Sequence, residues 1–292
     1  MERKKRNKEN HKWESWHKRV MTVLAFSGVE RIGRESPFSL ISTDQYVLKD
    51  ISELISEFCG ITRILACGGE EKEAGRTVEI LNISENIWKS GPDMINGKRD
   101  SHGIAVAKDG RIFVIGGQID VGETGSVIAM SVERDSWMEI AGMREKRICP
   151  GVAVVKEKIF VFGGSTKRSH SCEVYDCDED RWLPGNAVPP IPTERSEMGV
   201  AVIGEKIFTI GGFGSYNSGG IVEMLDTKTN MWYALPAMPS NRCSMAVAVI
   251  DKRFIWCFGG SSRRPTSFCN HIEIFDVERN EWLTTPVHLL TP

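Results

Sequence analysis

The sequence predicts an all-β fold in which one small unit is repeated five times, and three observations predict it. Glycine pairs recur at nearly constant spacing, a tryptophan follows each pair, and a short apolar run opened by a basic residue ends at each pair. Self-similarity at a period of about 50 residues is typical of a repeat architecture. The pairs begin at Gly68, Gly116, Gly163, Gly211 and Gly259, and the tryptophans are Trp88, Trp137, Trp182, Trp232 and Trp282.

Two sequence patterns that predict strands, A and B, lie before the glycine pairs. Strand B is a run of five or six apolar residues that ends at the glycines, as in Arg111-Ile-Phe-Val-Ile. Such short runs of β-branched and aromatic residues predict a buried strand rather than a helix. From the second repeat onward, strand A opens with an arginine at a nearly constant distance before the pair and continues with small and β-branched residues, which predict a crowded inner strand. The arginines are Arg99, Arg147, Arg195 and Arg242.

Two further strand signals, C and D, follow each pair. Four repeats have a glutamate at one fixed offset before the tryptophan, and Ile128 takes this place in the second repeat. Asn or Asp stands two positions before every tryptophan and favours a tight hairpin turn. Each repeat is therefore predicted to be four antiparallel strands. We predict that the glutamates accept hydrogen bonds from backbone N–H groups or from a strand A arginine, with an exposed row of charges as the alternative. They are Glu79, Glu173, Glu223 and Glu273.

Four strands cannot bury their apolar faces alone, so repeats arranged around an axis predict a β-propeller. The glycine pair on strand B, the tryptophan on strand D and the arginine of strand A resemble the kelch-repeat family. The resemblance implies a kelch-type propeller of five blades, in which backbone geometry requires the glycines and the tryptophans are buried and structural. It covers about residues 61–292, with units of about 61–92, 93–141, 142–188, 189–237 and 238–292.

The composition is that of an ordinary soluble globular chain, with a formal net charge of −2 and 41% hydrophobic residues. No apolar stretch approaches the roughly 20 residues that span a bilayer, and the basic start followed by a short apolar run is a poor signal peptide. The eight cysteines form no Cys-x-x-Cys pair, which favours reduced thiols over disulfides or zinc. We therefore expect a cytoplasmic protein with no metal, no cofactor and no membrane association.

Residues 1–60 differ from the repeats. Residues 1–19 are charged and lack periodicity, which predicts a basic, disordered tail. The run from Arg3 to Lys8 is typical of a solvated tail, with nuclear localisation or nucleic-acid binding as the alternatives. Because no basic face recurs in the repeats, we expect no nucleic-acid binding by the propeller. Within an extension at residues 20–60, apolar residues at helical spacing predict an amphipathic helix at about 42–58.

This helix has two interpretations. Residues 37–59 resemble the opening helix of an F-box, although Pro37 lies ahead of Leu40 instead of after it. The chain would then be the substrate receptor of a ubiquitin ligase, docking on its adaptor. Alternatively, the helix packs on one end of the propeller. It also occupies the place of strand A of the first repeat, so either that blade lacks its inner strand or another segment, such as Arg19–Phe26, supplies it.

The sequence contains no recognisable catalytic constellation. It has no nucleophile elbow, no phosphate-binding loop and no His-Glu-x-x-His motif. We therefore predict that the protein is not an enzyme. A propeller enzyme acting on a sugar or small metabolite is the alternative, because a few kelch-like propellers are enzymes.

The loops between strands B and C vary in length from repeat to repeat, whereas the strands around them keep their register. Rigid strands with variable loops are a common way to present a recognition surface. In the kelch family these loops, with the D–A loops, form the ligand-binding face. The leading hypothesis is therefore a protein-interaction scaffold that recognises a peptide or protein partner with one face.

The strand A arginines allow two interpretations. Four guanidinium groups in a ring would bind an acidic peptide through bidentate bonds to carboxylates. Alternatively, each arginine joins its blade to the next. On the first interpretation the predicted partner-binding residues are Arg99, Ser101, Arg147, Ser165, Arg168, Arg195, Tyr216, Arg242, Arg263 and Arg264.

Overall fold

The structure is a computed structural model and describes residues 63–68, 75–82, 87–131, 136–164, 170–214, 218–263 and 266–288. In these residues the chain forms strands β1 to β25 and one 3₁₀ turn, Ser218–Gly220. Residues 1–67 and 77–91 belong to one compact unit, and residues 68–76 and 92–292 belong to a second. The predicted basic tail, the helix at about 42–58 and the Arg19–Phe26 segment lie outside the described residues.

The described part of the first unit is one antiparallel sheet of three strands. In order, these are β1 (Arg63–Cys67), β2 (Val78–Asn82) and β3 (Ile87–Ser90). They are strands B, C and D of the first repeat. In β2 and β3, Leu81 is paired with Trp88. The described residues of this unit contain no strand A.

The second unit contains four antiparallel sheets of four strands each. The second sheet and its loop comprise β4 (Gly103–Val106), β5 (Ile112–Ile115), β6 (Gln118–Ile119), β7 (Gly122–Glu123), β8 (Val127–Ser131) and β9 (Ser136–Ile140). The third sheet comprises β10 (Gly151–Val155), β11 (Lys158–Phe162), β12 (Cys172–Asp176) and β13 (Arg181–Trp182).

The fourth and fifth sheets complete the second unit. The fourth sheet and its loops comprise β14 (Arg195–Ser196), β15 (Gly199–Ile203), β16 (Lys206–Ile210), β17 (Phe213–Gly214), β18 (Val222–Asp226) and β19 (Met231–Leu235). The fifth comprises β20 (Ala246–Ile250), β21 (Phe254–Phe258), β22 (Ser261–Arg263), β23 (Thr266–Phe268), β24 (His271–Asp276) and β25 (Glu281–His288).

All four sheets have the predicted order of strands A, B, C and D. The orders are β4-β5-β8-β9, β10-β11-β12-β13, β15-β16-β18-β19 and β20-β21-β24-β25, while β6–β7, β14–β17 and β22–β23 pair separately. The A strands of successive sheets lie against one another, β4 with β10, β10 with β15 and β15 with β20. This arrangement confirms the kelch-type β-propeller fold predicted from the repeat. The number of blades stays a prediction.

The hydrophobic core of the second unit lies between neighbouring sheets. Phe113 of the second sheet packs with Ile159 and Tyr175 of the third. Phe208 of the fourth sheet likewise belongs to one cluster with Phe275 of the fifth. Fully burying one such side chain contributes roughly 1.5–3 kcal/mol. Each sheet is thus stabilised mainly by the next one.

The C–D turns begin with an aspartate that the sequence analysis did not single out. Asp276 Oδ1 accepts the backbone N–H groups of Glu278 and Arg279, at 3.1 and 3.3 Å. Asp176 and Asp226 hold their turns in the same way. The predicted turn residues that the structure describes are left-handed, with φ values of 51° at Asp180, 58° at Asn230 and 55° at Asn280, and Asn86 and Asp135 lie outside the described residues.

Four strand D tryptophans each hydrogen-bond the loop that follows the preceding sheet. Trp137 Nε1 donates to the carbonyl oxygen of Pro92 at 2.9 Å, and Trp232 Nε1 donates to that of Pro189 at 3.1 Å. Trp182 and Trp282 make the equivalent bonds. The expectation that all five tryptophans are buried is wrong. Trp137 is buried, Trp182, Trp232 and Trp282 are half-buried, and Trp88 is 46% exposed, because strand D is the outermost strand of each sheet.

Candidate functional site

The four strand A arginines are fully buried, although each carries a charge. The exposed fractions are 1% for Arg99, 0% for Arg147, 1% for Arg195 and 1% for Arg242. Arg147 shows how the charge is accommodated, because its Nη1 donates to the carbonyl oxygens of Gly163 and Ser171, at 2.6 and 3.1 Å. A buried cation needs such partners, since its desolvation costs several kcal/mol. The guanidinium groups are therefore bonded within their own sheets.

In three sheets the buried arginine also pairs with the strand C glutamate. Arg147 Nη2 lies 3.0 Å from Glu173 Oε1, Arg195 Nη2 lies 2.9 Å from Glu223 Oε2, and Arg242 Nη2 contacts Glu273 Oε2. Burial lowers the pKa of Arg195 to about 10, while the Glu223 carboxylate opposes this shift. The guanidinium is therefore still a cation at pH 7. These three glutamates confirm the prediction of a structural acceptor.

The same glutamates also hold the loop that leads into strand A. Glu173 Oε2 accepts the backbone N–H of Arg144 at 2.8 Å. Glu223 Oε1 accepts the Thr193 hydroxyl at 2.8 Å, and Glu273 Oε2 accepts the Ser240 hydroxyl at 2.9 Å. Each carboxylate thus fixes both the arginine and the D–A loop.

The glycine pairs join successive sheets through the backbone of the next arginine. Gly212 N–H donates to the carbonyl oxygen of Arg242 at 3.0 Å, and a Cβ added to Gly211 would lie 2.4 Å from that oxygen. Both glycines are left-handed, with φ values of 58° and 108°. The second glycine makes the same bond from Gly117 to Arg147 and from Gly164 to Arg195. Only glycine can both adopt a left-handed backbone and leave room for the neighbouring carbonyl oxygen at little cost.

These contacts favour the interpretation in which each arginine joins its blade to the next. The side chain bonds the arginine's own sheet, and its carbonyl oxygen accepts a bond from the preceding sheet. Because the guanidinium groups are buried, they do not form an exposed ring. Recognition of a partner by these four arginines stays a prediction.

A second set of equivalent residues lies two positions after each arginine and connects four sheets. Cys149 N–H donates to Ser101 O at 2.7 Å, Glu197 N–H to Cys149 O at 3.2 Å, and Ser244 N–H to Glu197 O at 3.0 Å. We call these four residues the mouth arc. All are left-handed, with φ values between 50° and 54°. For residues other than glycine this conformation costs roughly 1–3 kcal/mol and is concentrated at functional sites.

The mouth arc presents mixed polar chemistry. Ser244 is exposed and its hydroxyl donates to Glu197 Oε2 at 2.7 Å. Of the four residues, only Ser101 was predicted as a partner-binding residue. The sequence marks the other three only by their constant offset of two positions from the arginine. The residue types at the four positions, Ser, Cys, Glu and Ser, share no side-chain chemistry that would reveal the set.

The B–C loops begin beside the mouth arc. Asp100 forms a β-bridge with Gln118, and Cys243 forms one with Ser261. These loops carry exposed apolar side chains, namely Val121 at 90%, Phe213 at 41% and Phe268 at 73% exposure. We call the mouth arc and the B–C loops together the loop face. Of the remaining predicted partner-binding residues, Ser165, Arg168, Tyr216 and Arg264 lie outside the described residues, and Arg263 is described only in its backbone.

Two features of the described residues bear on other functions. Across those residues no group of three or more His, Cys, Asp or Glu side chains has the arrangement of a metal site. Within the same part of the chain, no helix has the length and apolar character that crossing a bilayer requires.

The comparisons with known proteins identify the family. The sequence model of the KLHDC2/KLHL20/DRC7 Kelch-repeats domain matches residues 102–292. Since this is more than half of the chain, and the sheets have the kelch strand order, the protein belongs to the kelch-repeat family.

Curated relatives agree with this assignment. Kelch-like protein 38 of Danio rerio is 28% identical over 136 residues, which are 44% of this chain and 22% of that protein. An F-box/kelch-repeat protein of Arabidopsis thaliana is 25% identical over 236 residues, which are 67% of this chain and 48% of that protein. Beta-scruin of Limulus polyphemus is 26% identical over 237 residues, 74% of this chain and 25% of its own. The chain thus spans between a fifth and a half of the length of these relatives. Such relatives suggest a protein-interaction scaffold, and kelch-repeat relatives are typically not enzymes.

Proposed function

We propose that this chain is a kelch-repeat scaffold that binds a peptide or protein partner with its loop face. The observation that carries the proposal is the set of exposed apolar side chains, Val121, Phe213 and Phe268, on separate B–C loops beside the mouth arc. Apolar contacts surrounded by polar groups are typical of protein interfaces. Their display on loops of one rigid fold supports recognition of a partner rather than packing within the chain.

We also propose that a preference for acidic ligands comes from arginines of the loops, Arg168, Arg263 and Arg264. The four strand A arginines are buried and bonded to carbonyl and carboxylate oxygens, so we assign them a structural role. An arginine side chain can bind a carboxylate through two parallel hydrogen bonds.

Affinity purification of the full chain from native cells, with quantitative mass spectrometry, tests the loop face. The test variants are Val121→Ser and Phe268→Ser. The matched control is Met231→Ser, because Met231 is 55% exposed on strand β19, away from the loops. We expect the captured partner to fall at least fivefold with each loop variant and to remain at the parent level with Met231→Ser.

All three variants should melt within about 2 °C of the parent, because exposed substitutions change stability by roughly 0.5 kcal/mol or less. Equal capture by the parent and both loop variants would exclude the loop face as the binding surface. Loss of capture with Met231→Ser alone would place the partner on the outer strands.

Our second candidate is a ubiquitin-ligase substrate receptor that docks on its adaptor through residues 37–59. An F-box/kelch-repeat protein among the relatives favours it. Removal of residues 1–60 should then abolish capture of the adaptor and leave capture of the loop-face partner intact. Adaptor capture by the shortened chain would overturn this candidate.

A further inference from the structure

The outer strand of the fourth sheet, β19, contains no charged residue and no proline. Its sequence is Met231-Trp-Tyr-Ala-Leu235. Met231 is 55% exposed and Tyr233 is 41% exposed, and Ala234 is exposed as well. One side of β19 pairs with β18, and in the part of the chain that the structure describes no strand pairs with its other side. The strand is therefore an open sheet edge with apolar side chains in solvent.

The outer strands of the other sheets have features that discourage pairing. Natural edge strands are commonly protected by a charge, by a proline or by short length. Among the outer strands that the structure describes, β3 contains Lys89, β9 contains Glu139, and β25 contains Glu281 and Pro286. Strand β13 has only two residues, one of which is Arg181. Only β19 lacks all of these protections.

The main chain of β19 presents hydrogen-bonding groups to solvent. In an antiparallel pair the main-chain groups of every second residue point toward the partner strand, and those between them point away. Leu183 of the third sheet, which takes the place of Tyr233, donates its N–H inward to Val174 O at 2.8 Å. The groups of Tyr233 therefore point toward β18. Those of Trp232 and Ala234 point outward.

We propose that two copies of this chain associate through β19, edge to edge and antiparallel. A two-fold axis at Tyr233 places Trp232 opposite the partner's Ala234, so that the outward main-chain groups of these residues hydrogen-bond to each other. Tyr233 then lies opposite the partner's Tyr233, which extends the exposed apolar surface of one sheet across both copies.

The charges around β19 favour a second copy as the occupant. A strand that carried a charge would place it against Met231 or Tyr233, where it would lose water without gaining a partner. A second β19 brings no charge to the pair. The charged residue that precedes the strand, Lys228, is paired with Glu205 at 2.7 Å. In the antiparallel arrangement the two copies of Lys228 lie at opposite ends and do not repel each other.

The small size of the edge sets the strength of the association. A stable interface takes roughly 20–30 residues from each partner, whereas β19 has five residues. We therefore expect reversible association that depends on protein concentration, not a permanent dimer.

Sedimentation velocity of the full chain at increasing concentration tests the association. We expect the mean mass of the parent to rise from that of a monomer toward that of a dimer. Tyr233→Lys should weaken the association at least tenfold, because it places two like charges opposite each other. The matched control is Met138→Lys, since Met138 takes the place of Tyr233 on β9 and is also 41% exposed. This control should associate as the parent does.

Thermal melts separate loss of association from loss of folding. Both lysine variants should melt within about 2 °C of the parent, because the changed side chains are on the surface. A parent that stays monomeric at every concentration would overturn the proposal. So would an equal loss of association in both variants, or capture of a different protein at Tyr233 by a chain that does not associate with itself.

Disulfide formation tests the register. Opposed residues that do not hydrogen-bond to each other have the closest side chains in an antiparallel pair, and the two-fold axis gives Tyr233 this position. We expect Tyr233→Cys, oxidised at high concentration, to form a covalent dimer with a disulfide between the two introduced cysteines, identified by peptide mass spectrometry. Met138→Cys and the parent should form no disulfide at these positions. Absence of the bond in Tyr233→Cys, or an equal yield in Met138→Cys, would overturn the proposal.

Discussion

The second and fourth sheets each bury an arginine at the equivalent position of strand A, but the two arginines have different partners. In the fourth sheet Arg195 lies 2.9 Å from Glu223 and donates to the Thr209 hydroxyl at 2.6 Å. In the second sheet the glutamate position is Ile128, which is fully buried. Arg99 there donates to the Ser126 hydroxyl at 2.7 Å and to two backbone carbonyl oxygens. In the part of the chain that the structure describes, no carboxylate lies within ion-pair distance of Arg99.

The two sheets also differ at the neighbouring position on strand D. Glu223 is paired with Ala234 in the fourth sheet, whereas Ile128 is paired with Glu139 in the second. The second sheet thus has its carboxylate on strand D, whereas the fourth sheet has it on strand C. Burial lowers the pKa of Arg99, and the charge of Glu139 opposes this shift from a distance. The difference teaches that carbonyl and hydroxyl oxygens alone can hold the arginine, with the negative charge placed farther away.

The largest expected difference comes from removing each arginine. Arg195→Met leaves Glu223 buried without its cation, and we expect a loss of about 3–5 kcal/mol in the free energy of unfolding. Arg99→Met leaves only neutral acceptors unsatisfied, and we expect about 1–3 kcal/mol. Urea denaturation followed by circular dichroism measures both. Equal losses would remove the distinction between the two sheets.

The tryptophan bonds should not distinguish the sheets. Trp137→Phe and Trp232→Phe each remove an indole N–H that donates to a proline carbonyl, at 2.9 and 3.1 Å. We expect each variant to lose about 1 kcal/mol, the usual net contribution of one hydrogen bond. Thermal melts of these two variants and of Trp182→Phe, which removes the equivalent bond in the third sheet, check this. A loss confined to one sheet would show that burial rather than the hydrogen bond determines the cost.

Acid should act on the C–D turns of the third and fifth sheets and spare that of the second sheet. The hydrogen bond from Arg253 lowers the pKa of Asp276 below its ordinary value. Its contribution is therefore complete above about pH 4 and is lost as the pH falls through the lowered pKa. The parent should lose more stability between pH 6 and pH 3 than Asp276→Asn does. In Ser131→Ala, at the matching place in the second sheet, the pH dependence should equal that of the parent.

The smallest expected effect concerns the displaced carboxylate. Glu139 is exposed, so Glu139→Gln should cost only about 0.5 kcal/mol. Adding Ile128→Glu should supply the carboxylate of the fourth sheet, and Glu139→Gln should then become stabilising, because the two carboxylates would lie opposite each other. A double-mutant cycle in low salt measures this coupling. Additive effects would mean that Glu139 does not compensate Arg99.

Much of the fold could be predicted from the sequence because the repeat exposes its own register. Strand B before Gly211 and the turn at Asn230 follow from residue types with strong local preferences, and both are found. The buried state of Arg195 could not be predicted in the same way. A constant position is expected of a recognition ring and of a structural ion pair alike, and only the contact with Glu223 separates them.

The candidate site was harder to predict than the fold. Exposure of Phe268 depends on how its loop folds, which no repeat signal records. Of the four residues of the mouth arc, the sequence predicted only Ser101 as a partner-binding residue. Its members are related by backbone conformation, and a side-chain pattern cannot report a left-handed φ at Cys149 or Glu197.

The mouth arc has an evolutionary consequence. Its four residues are held by peptide groups that every amino acid except proline possesses, and the side chains make no part of that chain of bonds. A codon change at Ser101, Cys149, Glu197 or Ser244 to a residue that tolerates the left-handed backbone can therefore alter the chemistry of the loop face while the assembly of the sheets persists. A duplicated gene could diverge toward a new ligand at these four positions before any strand of the fold had to change.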